Sequence, residues 1–348
     1  MLKKPSITTP QFLFCGMKNL RFIIPFSLLL LGAAAGCGDS SPEQAETTLP
    51  ASPGYQRDLS WPSEMTTASM GQPIGVGLMP DGQVAVFHRG KGTPVPYVPG
   101  DVVAFIDPIS GDIVNSWGGA TVIQSHGMHI DWTGNVWLTD IKLHQVFKFS
   151  AEGELLLTLG TAGEAGLDES HFDQPTDVAI APNGNIFVTD GYGNRRIVKF
   201  SPNGDFLLEW GSEGGGVGQF LNPHSIDISQ QGTLYVADRD NNRIQLFDLD
   251  GNFLDTIPTR SAIYACIIDE ATNELLATDF LQRDTTTLGS DVFLIDLEDP
   301  TPGGAFIGHS HDSNSTPCRY HDIVRDGDGT IYLVDLIGKS VEKWRVID

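Results

Sequence analysis

A single pattern recurs along the chain about every 48 residues. It runs as a short apolar strand, a Gly-containing turn, a second strand ending near Asp, a polar loop, and two more strands. The second strands are the clearest: GQVAVFH (82–88), GNVWLTD (134–140), GNIFVTD (184–190), GTLYVAD (232–238), NELLATD (273–279) and GTIYLVD (329–335). They are rich in β-branched, aromatic and aliphatic residues, and most follow a tight Gly turn. RIVKFSPNGDFLLEWG (196–211) and RIQLFDLDGNFLDTIP (243–258) read as third and fourth strands turning at Asn-Gly and Asp-Gly. A four-stranded antiparallel unit of this length cannot bury both faces alone, and radial stacking of such units solves the problem. Six units predict an all-β fold, a six-bladed β-propeller over residues 55–348. A β-sandwich fits poorly, because the repeat is too regular. The last unit ends after SVEKWRVID (340–348), one strand short, and YQRDLSWPSEM (55–65) is expected to supply the missing outer strand.

The first 36 residues stand outside the repeat. Lys18 and Arg21 precede a largely apolar run from Phe22 to Leu31, followed by small residues and then Cys37. That order is the order of a secretory signal, and the run is short for a membrane span. Met17 is the more natural start, since it puts the basic residues at the terminus. Ala34-Ala35-Gly36-Cys37 is similar to a bacterial lipoprotein cleavage box, with alanine where leucine is usual. Cys37 is therefore read either as a lipidated cysteine or as a free thiol left by ordinary cleavage nearby. Residues 37–54 are polar and Pro/Ser-rich, as expected of a flexible tether. The expected location is the bacterial periplasm or cell envelope, with membrane contact only through the lipid.

Lys3, Lys4, Lys18 and Arg21 are the only charges in residues 1–36, so losing that stretch takes the net charge from −23 to −27. Such acidity excludes nucleic acid as a partner, because phosphates need Lys and Arg. It favours cations and neutral or basic substrates. Cys266 and Cys318 remain, and the sequence leaves open whether they pair.

Aligned on the residue that ends the second strand, the units carry their chemistry at one offset. Fourteen positions earlier stand Ile74, His126, Thr176, His224, Ala265 and His321. Every second unit places a histidine there. The innermost strands of a propeller line its axis, and alternate blades of six are about 120° apart. The three imidazoles are therefore expected to converge in a trigonal face suited to Zn²⁺ or a similar borderline metal. A lone histidine would be read as a satisfied core residue; the shared register of three argues for a metal. The loop after the second strand opens on the same rim and brings Arg89, Tyr192 and Arg239 to the mouth. An arginine beside the phenol is expected to lower its pKa and make Tyr192 a general base. The plainer alternative is rim salt bridges and a packed tyrosine.

These segments, FHRG (87–90), HGMHIDWTGNVWLTDIKLHQVFKF (126–149), DGYGNRRI (190–197), NPHSIDI (222–228), ADRDNNRIQLF (237–247) and HDIV (321–324), resemble the peptidyl-α-hydroxyglycine α-amidating lyase family. That family is a six-bladed propeller of the NHL-repeat kind, and the likeness runs from about Ile74 to the C-terminus. The resemblance implies zinc on His126, His224 and His321. It also implies a structural Ca²⁺ in the tunnel on the Val76 and Met128 carbonyls and the Asp322 carboxylate, oxygen ligands that suit calcium. The catalytic Tyr and two arginines of the family correspond to Tyr192, Arg89 and Arg239. The implied substrate is a peptide or small molecule carrying an α-hydroxyglycine-like group, cleaved by a monomer. Two positions depart from the family: Arg319 stands where it has a methionine, and Gly193 where it has a cysteine. The competing readings are an exported, non-catalytic binding module with a structural metal, and a calcium-dependent lactonase-type propeller, which would use carboxylates on its axis.

Overall fold

The computed structural model describes residues 54–90, 100–119, 121–282, 288–300, 302–308 and 317–347. The leader 1–36, Cys37 and all but the last residue of the tether lie outside them. Among the described residues no helix is long and apolar enough to cross a membrane.

Six antiparallel sheets follow in chain order, each with its first strand innermost. Blade 1 begins with Gln72–Leu78 and Val84–Arg89, blade 2 with Ser125–Ile130 and Val136–Asp140, and blade 3 with Asp177–Ile180 and Ile186–Asp190. Blade 4 begins with Pro223–Ile228 and Leu234–Asp238, blade 5 with Ala262–Asp269 and Glu274–Gln282, and blade 6 with Tyr320–Arg325 and Ile331–Asp335. The protein is a six-bladed β-propeller. In blade 6 the outer strand is Gly54–Arg57, paired antiparallel to Ser340–Ile347. The strand expected over 55–65 ends at Arg57, because the chain turns at Asp58, which accepts from Ser60 and Trp61, and Ser63 then caps a helix over Glu64–Ser69.

The core is divided among the six seams between blades. Alternation along the second strands feeds two seams at once. Leu138 packs into the cluster between blades 1 and 2, and its neighbour Trp137 into the one between blades 2 and 3. Phe187 and Val236 fill the next seam, and Tyr332 and Val86 close the ring between blades 6 and 1. Second strands are therefore buried on both faces, which explains their unbroken apolar runs. The outer strand Phe206–Trp210 alternates with solvent instead. The Asn203-Gly204 turn before it needs Gly204 at φ +88°, a region glycine enters without strain.

Cys266 and Cys318 are both free and buried, in the clusters between blades 4 and 5 and between blades 5 and 6. Burial pushes the Cys318 thiol up to about 12.

Candidate metal centre and its mouth

In blades 1, 2, 4, 5 and 6, but not in blade 3, the register between the first two strands slips by one residue near the axis. The slip leaves His126 with Gly127, and His224 and His321, in bulges of blades 2, 4 and 6. A bulge re-aims the side chain it leaves unpaired. The Asp that ends each second strand fixes the chain just ahead of that bulge. Asp140 accepts the N–H groups of Ile123 and Gln124, Asp238 those of Leu221 and Asn222, and Asp335 that of Arg319. The recurring Asp is thus a brace that sets where each histidine leaves the backbone.

The three rings form a nearly equilateral triangle, with centroids 4.8, 4.9 and 4.9 Å apart. Their nearest ligand atoms all lie within 4.8 Å of one another. Each Nδ1 is spent on a backbone carbonyl of the following blade: His126 on Thr176 at 2.7 Å, His224 on Tyr264 at 2.7 Å, and His321 on Ile74 at 2.8 Å. A carbonyl only accepts, so each Nδ1 carries the proton and each Nε2 offers a lone pair. Burial keeps the imidazoles neutral: it lowers His126 to about 3 and holds His224 and His321 well below their ordinary value. Three neutral, oriented nitrogen donors fit Zn²⁺ or a similar divalent metal.

Tyr192 reaches over this face. Its hydroxyl lies 2.8 Å from His126 Nε2 and 3.3 Å from His224 Nε2. The Arg239 guanidinium stands 5.6 Å from the Tyr192 ring centroid and bonds Asp240 at 2.8 Å. Arg89 donates to Ser125 O and Gln72 Oε1, and its charge acts on both His126 and Tyr192. The phenol pKa is nevertheless raised, contrary to the sequence expectation: burial pushes it up more than Arg239 draws it down.

Blade 5 corrects a second expectation. The fixed offset selects Ala265, but the residue in the bulge is Tyr264. The hairpin joining the first two strands of blade 5 is one residue longer than that of blade 4, with Ala265 paired to Thr278 where Ser225 pairs to Ala237. Allowing for the longer DEATNE turn would have found it. The Tyr264 ring lies 5.0 Å from His224 and 5.9 Å from His321.

Below the histidines, Val76, Met128 and Asp322 line one axial cavity of about 290 Å³ together with Asp177 and Asp227. Asp322 accepts the Val76 N–H at 2.9 Å, and Asp177 accepts the Ile226 N–H at 3.1 Å. Burial raises Asp177 to about 7, Asp227 to about 6, and Asp322 well above the carboxylate range. The three carboxylates bring oxygens of the kind a hard cation prefers to one cavity, but unlike the histidines their oxygens do not close into a three-point cluster. Asp177 follows Thr176 as Asp322 follows His321, a signal the offset held one residue further on.

The fold and site define an axial three-histidine propeller, and similarity to known proteins narrows the class. A family described as a 6-bladed beta-propeller (DUF5128) matches residues 167–287. The chain is 35% identical over 319 residues to peptidyl-glycine alpha-amidating monooxygenase A of Xenopus laevis, covering 83% of this chain and 33% of that protein. It is 31% identical over 258 residues to peptidyl-alpha-hydroxyglycine alpha-amidating lyase 1 of Drosophila melanogaster, covering 63% of this chain and 47% of the relative. The chain thus spans between a third and a half of the length of these two relatives. A virginiamycin B lyase structure from Staphylococcus aureus shares the fold at a TM-score of 0.54 and 14% identity, covering 84% of this chain and 100% of that one. Peptidyl-α-hydroxyglycine α-amidating lyases are therefore among the homologues of this propeller.

Proposed function

We propose that the protein is a metal-dependent lyase that cleaves the C–N bond of a peptidyl- or N-acyl-α-hydroxyglycine, releasing an amide and glyoxylate. The observation that carries this reading is the Tyr192 hydroxyl at 2.8 Å from His126 Nε2, on the open side of three convergent imidazoles. His126, His224 and His321 would hold Zn²⁺, and Val76, Met128 and Asp322 would hold Ca²⁺ in the cavity beneath. When bound, the zinc supplies Lewis acidity that lowers the pKa of a nearby hydroxyl and offsets the burial acting on Tyr192.

Tyr192, as phenolate, takes the proton of the substrate α-hydroxyl. The C–O bond becomes the aldehyde carbonyl of glyoxylate, the C–N pair leaves with nitrogen, and the proton passes from Tyr192 to the amide. No net oxidation occurs. Arg239, whose Nε and Nη2 are on Asp240, would offer its remaining N–H groups to the glycine carboxylate, and Arg89 would steady the phenolate through its charge.

The test is glyoxylate release from α-hydroxyhippurate by the zinc-loaded protein. A rate well above background that collapses in Tyr192→Phe supports the reading. A zinc-loaded protein that releases glyoxylate no faster than buffer rejects it and leaves the non-catalytic metal-stabilised module. The specific observation favouring that second reading is Arg319, whose guanidinium stands two residues ahead of His321. Export and lipidation of Cys37 belong to the same proposal, and radiolabelled palmitate incorporation tests the lipid.

A further inference from the structure

We infer that Arg319, with Tyr264 and Phe280, forms a second anion-binding subsite beside the three-histidine face, which selects N-acyl-α-hydroxyglycines whose acyl part bears its own carboxylate. The inference rests on the lyase reading and adds to it the chemistry of the acyl group.

Tyr264 is the wall between the histidines and this subsite. Two guanidinium groups lie against its ring, Arg239 at 5.1 Å and Arg319 at 5.7 Å from the centroid. Arg239 is already engaged by the Asp240 carboxylate. Arg319 is not so engaged: its plane rests on Phe280 at 4.2 Å, and its Nε is buried with no hydrogen-bond partner. Among the described residues no carboxylate pairs with it. Its backbone, by contrast, is fixed at both ends, with its N–H on Asp335 and its carbonyl accepting from Leu336 N–H.

Arg319 is only partly buried, but its Nε is cut off from water without a partner, and such an unmet donor is costly. A carboxylate meets that cost, because its two oxygens match the guanidinium fork. The aromatic shelf of Phe280 and Tyr264 holds the side chain flat beforehand, so little freedom is lost on binding. In the lyase reading the remaining N–H groups of Arg239 take the glycine carboxylate, which leaves Arg319, paired with no carboxylate among the described residues, for a different acid. One ring, Tyr264, separates Arg319 from the histidines, so the second carboxylate belongs within a few bonds of the scissile nitrogen. A short dicarboxylic acyl group or a peptide ending in an acidic residue before the glycine has that form. A neutral acyl group leaves the guanidinium unmatched.

Calorimetry on the zinc-loaded full chain tests this with two unreactive ligands that lack the α-hydroxyl, N-succinylglycine and its neutral amide N-succinamoylglycine. The expected result is about ten-fold tighter binding of the dicarboxylate, the scale of one charge-assisted fork. Arg319→Met should remove that preference and Arg319→Lys should keep part of it, with thermal unfolding confirming that each variant is folded. Equal affinities in the wild type, or a preference that survives Arg319→Met, overturns the subsite. Glyoxylate release from N-succinyl-α-hydroxyglycine is read separately. A dicarboxylate preference that depends on Arg319 without glyoxylate release keeps the subsite and rejects the lyase.

Discussion

Asp335 accepts the backbone N–H of Arg319 at 2.8 Å, two residues ahead of His321. The same carboxyl oxygen accepts the Ile337 N–H at 2.9 Å, so one buried side chain holds both the entry to the first strand and the exit from the second. Asparagine would keep the shape and one acceptor but lose the charge. Asp335→Asn is expected to cost about 1–3 kcal/mol, the scale of weakening buried hydrogen bonds to a charged group. It should also weaken metal binding, since His321 loses its brace. Urea unfolding and zinc titration check both effects; an unchanged midpoint and unchanged zinc affinity would contradict the brace.

The triangle of imidazoles predicts a sharp stoichiometry. Purified protein should carry one zinc-class ion per chain at this site. His321→Ala, which leaves two donors, should lose most of it on dialysis, with affinity falling by roughly a hundred-fold or more. Elemental analysis of both proteins measures this. Full metal content in the variant would mean that the ion sits elsewhere.

Tyr192→Phe removes one hydroxyl from a packed ring. The zinc content should stay at the wild-type level while kcat falls about 10²–10⁴-fold, the usual contribution of a positioned acid–base group. Because burial raises the Tyr192 pKa above the ordinary 10.0, the metal-stripped protein at pH about 10 should show no more phenolate absorbance than Tyr192→Phe does. An ultraviolet difference spectrum between the two proteins at that pH reads it directly.

Asp177 gives a pH signature. Its folded pKa of about 7 stands above the ordinary 3.8, with burial as the main cause. Such a group contributes stability that is fully present below the unfolded value and is lost as pH rises through the folded one. In chelator-treated protein, raising pH from about 5 to about 8 should therefore lower the wild-type Tm relative to Asp177→Asn by several degrees. Calcium added to the wild type should narrow the gap. Parallel Tm profiles for the two proteins would show that Asp177 ionises freely.

Much of this was legible in the chain. The Gly turns and doubly apolar second strands announce the blades because each such strand feeds two seams. The histidine register shows because three blades share one hairpin length. Tyr264 was hidden for the converse reason, since one added turn residue moves the bulge without altering the strand pattern. The raised phenol pKa was hidden too. A sequence shows that an arginine stands near Tyr192 but not how much protein closes over both. The tunnel acids lay one or three residues beyond the histidine register, where only the closed ring reveals that they share a cavity.

The hydrogen bonds from the three imidazoles to neighbouring carbonyls divide the ring into couples: blades 2 and 3, 4 and 5, 6 and 1. A cation on the three Nε2 atoms is then a hub to which every couple is fastened. Emptying the hub unfastens all three couples together, so loading and resistance to proteases should rise and fall as one property, whatever chemistry the mouth performs.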